Sequence, residues 1–122
     1  MFVFALGFIN RSKIKAIRYF LAARLRRKLI PTLKSILPVL NKSFYDDGDD
    51  LFSVLRLRAD LESLCAKSDV LFDAERLALV DFLAEFSAVT TKFKSGQGSQ
   101  IIVDNLILSG QRALNELKEF ER

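Results

Sequence analysis

The chain has 122 residues, half of them hydrophobic, a mean hydropathy of +0.18 and a formal net charge of +4. Its length suits one domain, and its hydrophobicity excludes an intrinsically disordered chain. With no His and one Cys, an internal disulfide, a thiolate zinc cluster and most His-based catalysis are excluded, so no catalytic residue, metal or cofactor is expected.

The chain opens on an apolar run, residues 1–9, MFVFALGFI. No Lys or Arg precedes it and no small-residue cleavage site follows, so it does not read as a secretory signal. It is too short to span a membrane as a helix, which takes about 20 residues. The first 30 residues, Arg-containing and free of acid, also share the composition of a mitochondrial presequence. The lone Cys65 suits a reducing, cytoplasmic setting.

Residues 1–42 hold ten basic side chains and no acidic one, whereas residues 43–122 hold nine basic against all 15 acidic ones, a net of −6. Such polarity points to an anionic partner for the basic third, or to pairing of the two parts within a fold or between subunits. The spacing predicts a helix from Lys13, capped by Ser12, to about Ile30, with Ile14, Ile17, Leu21, Leu25 and Leu29 as an apolar, core-facing stripe. Arg18 and Lys28 border that stripe, with Lys13, Arg24 and Arg27 on one flank and Lys15 and Arg26 on the other. Together with Arg11, these are the candidate residues for binding nucleic acid or another anion. Tyr19 and Phe20 are the aromatics placed to stack on bases if they are exposed. Pro31 predicts a break, a kink or a restart, and Thr32 to Asn41 a short helix that Pro38 bends or ends early.

Residues 43–50 read as an acidic loop. Asp46, Asp47, Asp49 and Asp50 lack the EF-hand spacing, and N-cap duty is the plainer role for them. A helix follows from Leu51 to about Lys67, and another from Ser68, Asp69 or Asp73 to about Lys94. Gly96-Gln97-Gly98 reads as a flexible turn. Ser99 is placed to cap a last helix, which runs from Gln100 to nearly Arg122. Val103, Leu106, Gly110, Ala113, Leu117 and Phe120 recur there as a short heptad seam, with Gly110 and Ala113 leaving room for another helix, so the seam is a candidate oligomer contact.

The expected architecture is a single all-α domain over residues 1–122, an up-and-down bundle of about four main helices with a short kinked helix near Pro31–Pro38. Its basic N-terminal third covers 1–42, its acidic loop 43–50 and its helical remainder 51–122. The expected function is that of a non-enzymatic binding or assembly subunit whose basic helix engages nucleic acid or an acidic nucleoprotein partner. Two alternatives are a membrane-peripheral adaptor anchored by residues 1–30, and a protein-interaction or oligomerisation module. A homo-oligomer or a subunit of a hetero-complex is expected from the seam.

Overall fold

A computed structural model describes residues 11–44 and 49–120. The protein is all-α. Among the described residues four helices, α1 (Arg11–Ser43), α2 (Asp49–Cys65), α3 (Asp73–Lys94) and α4 (Gln100–Glu119), follow one another at short intervals, with a 3-10 turn at Ser68–Val70 between α2 and α3. α1 packs beside α2 and α4, and α4 beside α3, while α2 and α3 touch sparsely. The Gln100 side-chain amide at the start of α4 donates to Asn41 Oδ1 near the end of α1, at 2.6 Å. At the other end, the Phe72 ring preceding α3 meets the Phe120 ring following α4, with centroids 4.7 Å apart. α4 thus runs antiparallel to both neighbours.

Inside lies one apolar cluster in which Phe82, Phe86, Leu29, Leu33, Ile36 and Leu106 are almost wholly buried. Of the break, kink or restart expected at Pro31, neither a break nor a restart occurs: α1 is continuous, and the expected short helix, which Pro38 does not end, is fused into it. Pro31 and Pro38 are seven residues apart and both are exposed. Their missing N–H groups free the carbonyls of Arg27 and Lys34 on the wet side of the helix. Leu29, Ile30, Leu33, Ile36, Leu37 and Leu40 are all buried on the opposite side and hold the helix to the bundle. Burying each such side chain contributes roughly 1.5–3 kcal/mol, enough to outweigh a lost backbone hydrogen bond.

Other boundaries also differ from expectation. α1 is already helical at Arg11, so Ser12 does not precede it. The N-cap of α3 is Phe72, whose N–H is accepted by Glu75 Oε1 at 3.1 Å. Ser99 occupies the N-cap position of α4 without a side-chain cap bond. The Gly96 turn is a Schellman cap, with Gln97 N–H donating to the Lys92 carbonyl at 2.8 Å and Gly96 N–H to that of Phe93 at 3.3 Å. Gly96 takes φ +78° there, a conformation that favours glycine.

The α4 seam is spent within the chain. Val103, Leu106, Gly110, Ala113 and Leu117 are buried, and Phe120 is half-buried. A Cβ on Gly110 would collide with Leu37 of α1 and lie 2.8 Å from Phe82 Cε1 of α3. The close approach predicted for another subunit is therefore made by the chain's own helices, because α1 and α3 both converge on α4 to enclose the core.

Candidate anionic-partner interface

The basic helix outgrows its bundle. With 33 residues, α1 is about 50 Å long, against about 26, 33 and 30 Å for α2, α3 and α4 with 17, 22 and 20 residues. Its C-terminal end is level with the start of α4, and Arg26 is level with the opposite end of the bundle, beside Phe72 and Phe120. The turns before Ala22 overhang. Residues 15–21 are all exposed; Arg18 Nη2 donates to the Asp69 carbonyl at 3.2 Å, the Tyr19 and Phe72 rings meet in a tilted contact at 6.5 Å, and Leu21 lines a cavity with Leu64 and Val70.

That overhang splits the expected apolar stripe. Leu25 and Leu29 are buried, but Ile17 and Leu21 are 56 % and 41 % exposed, and Phe20 and Tyr19 are 60 % and 57 % exposed. Among the described residues no helix runs alongside to cover them. At 100° per residue, Ile17, Phe20, Leu21, Arg24, Arg27 and Lys28 all fall on the outward side of α1, opposite buried Ala22, Leu29 and Leu33.

Arg26 must be removed from the anion-binding set. It is 5 % exposed and points inward. Its Nε and Nη2 donate to Glu75 Oε2 and Oε1 at 2.6 and 2.8 Å. Its Cζ stands 5.7 Å from the Phe72 ring centroid and 5.8 Å from that of Phe120. Glu75 is fully buried and balances the charge. Sequence reasoning missed Glu75. The available signal was its place at the third position of α3, where a carboxylate satisfies the N-terminal amides; its pairing with a residue 49 positions away was not readable.

With Arg26 withdrawn, Arg24, Arg27 and Lys28 stand at i, i+3 and i+4 and share one face. Among the described residues none of the three, nor Lys15, makes an ion pair within 4 Å. Arg18 lies on another side of the overhang, facing the 3-10 turn. The side chains of Arg11 and Lys13 lie outside the described residues, as do Asp46 and Asp47 of the acidic loop. Between α1, the end of α2 and the 3-10 turn is a cavity of about 340 Å³ lined by Leu21, Leu25, Leu64 and Val70, with Arg24, Lys28 and Lys67 also at its walls.

Cys65 is half-buried, and burial, with a smaller contribution from Glu62, pushes its thiol from 9.0 up to about 11. It is a poor nucleophile. Among the described residues no group of His, Cys, Asp or Glu is arranged to hold a metal ion, and no helix is long and apolar enough to cross a membrane. Compared with protein-family models, curated proteins and solved structures, the chain matches none.

Proposed function

We propose that this protein is a non-enzymatic, membrane-peripheral binding module that seats the overhanging end of α1 on an anionic bilayer surface. The observation that carries this is the exposure of Ile17, Phe20 and Leu21 on the same outward face as Arg24, Arg27 and Lys28. Phosphate contact alone gives no use for three exposed apolar side chains. An interfacial helix uses both: apolar groups enter the acyl boundary, while Arg and Lys stems lie along it with their charges among the headgroups. Each buried apolar side chain contributes roughly 1.5–3 kcal/mol and each cation near the surface about 1 kcal/mol. The apolar run at residues 1–9, immediately before α1 in sequence, adds to the support. So does the absence of any acidic residue from positions 1–42. The cytoplasmic leaflet, rich in anionic lipid, is the fitting location.

A nucleic-acid or nucleoprotein partner is the second proposal. It is favoured by the cation triplet on one face and by exposed Tyr19, able to stack on a base. Flotation with vesicles of phosphatidylglycerol and phosphatidylcholine, beside filter binding to duplex and single-stranded DNA in the same low-salt buffer, separates the two. Flotation with anionic but not with pure phosphatidylcholine vesicles is expected. DNA binding without flotation would reverse the order. Binding to neither would leave a protein-interaction module, in which the exposed patch meets an acidic protein or a second copy.

A further inference from the structure

The cavity at the root of the overhang has a chemistry of its own. Its apolar floor is formed by Leu21, Leu25 and Leu64, and its cations are Arg24, Lys28 and Lys67, with no carboxylate in the lining. Among the described residues, none of these three cations has an ion-pair partner within 4 Å. In the adjoining groove Asp60 stands with Arg27 and Lys28. Three like charges gathered around one hollow repel one another, and a bound anion relieves that repulsion. The volume of about 340 Å³ lies within the range of small-molecule sites, which are mostly apolar with a few placed polar groups.

We infer that this cavity takes a single anionic phospholipid, its phosphate held by Arg24, Lys28 and Lys67 and the start of its acyl chain laid against Leu21, Leu25 and Leu64. This deepens the proposed membrane function and rests on it for the source of the lipid. Lys67 is the discriminating residue. It follows α2 rather than belonging to α1, so a flat helix-on-bilayer contact through the α1 face has no need of it, whereas a headgroup in the cavity does. The cavity exists because the chain leaves α2 through a 3-10 turn, with Ser68 buried and Val70 forming the far wall, instead of extending α2 along α1.

The test uses dihexanoyl phosphatidic acid as a monomeric probe, titrated calorimetrically into the full chain, with dihexanoyl phosphatidylcholine and inorganic phosphate as controls. Saturable one-to-one binding of phosphatidic acid is expected, with both controls at least about tenfold weaker, because each lacks either the net charge or the tail. Lys67→Gln should weaken it about tenfold. Leu64→Trp should block the floor; if that variant does not fold, Lys67→Gln alone decides. Equal binding of phosphatidic acid and phosphatidylcholine, an inorganic phosphate affinity equal to that of the lipid, or indifference to Lys67→Gln overturns the inference. Flotation without monomer binding overturns the cavity site and leaves the surface contact. Monomer binding without flotation supports the cavity and removes the bilayer as the source of its ligand.

Discussion

The Arg26 guanidinium and the Glu75 carboxylate meet in two hydrogen bonds of 2.6 and 2.8 Å, wholly inside the protein and between the first and third helices. The same Glu75 accepts the Phe72 N–H at the start of α3, so one carboxylate closes a helix end and neutralises a buried cation. The two aromatic rings flanking Arg26 seal the pair where the overhang begins.

Breaking that pair from one side leaves a buried, unbalanced charge. Glu75→Ala should lower stability by about 3–5 kcal/mol, and Arg26→Ala by a similar amount. The double replacement Arg26→Met with Glu75→Leu should recover most of the loss, because two apolar side chains of similar size need no partner. Its recovery will be incomplete, since the Phe72 N–H loses its acceptor. Denaturant melts of the unaltered protein and the three variants check this.

The contact at Gly110 gives a second test. Gly110→Ala drives a methyl group against Leu37 and Phe82 and should cost about 1–3 kcal/mol through overpacking, despite the better helix propensity of alanine. A surface glycine in an ordinary helix would gain stability from the same change. Gly96→Ala should cost about 1 kcal/mol for a different reason: nothing lies within 4 Å of the added carbon, but its φ of +78° disfavours any side chain. Melting temperatures separate the two from neutral controls.

Cys65 yields a prediction in pH. A thiol raised from 9.0 to about 11 by burial and by Glu62 carries about a hundredfold less thiolate at pH 8 than an unperturbed one. Its reaction with a maleimide should be slower by about that factor in the native protein than in urea. The folded form holds its proton longer than the unfolded form. The contribution of this group to stability is therefore whole below about pH 9 and declines as the pH rises from there towards 11. Thiol-modification rates and melts at pH 8 and pH 10 check both.

Much of the fold was legible because it rests on local chemistry. Of the α3 positions at helical spacing, Leu79, Phe82, Phe86 and Val89 are buried, while Leu83 and Phe93 are half-buried against the same core. The α4 seam was also read correctly as an apolar face with room at Gly110. What it packs against was not readable, since Leu37 and Phe82 arrive from 73 and 28 residues away. The local rule at Pro31, which allows a break, a kink or a restart, takes no account of the burial of Leu29, Leu33 and Ile36 that keeps the helix continuous. The candidate site was half legible. The cations were plain in the sequence, but nothing local distinguishes Arg26, turned inward to Glu75, from Arg24 and Arg27, turned outward. Nor does periodicity reveal that α1 is longer than its bundle, and that length is what exposes Ile17, Phe20 and Leu21.

The measurement closest to the central claim is flotation of Ile17→Ser/Phe20→Ser with anionic vesicles, beside the unaltered protein and the charge variant Arg24→Gln/Arg27→Gln/Lys28→Gln. Because Ile17 and Phe20 are more than half exposed, the serine pair should leave the melting temperature unchanged. Losing two side chains that enter the acyl boundary at roughly 1.5–3 kcal/mol each should weaken vesicle binding by about a hundredfold or more. The charge variant should weaken it too, and should remove the sensitivity to salt. Vesicle binding by the serine pair equal to that of the unaltered protein would contradict the account, because the apolar end of the overhang would then have no part in holding the surface.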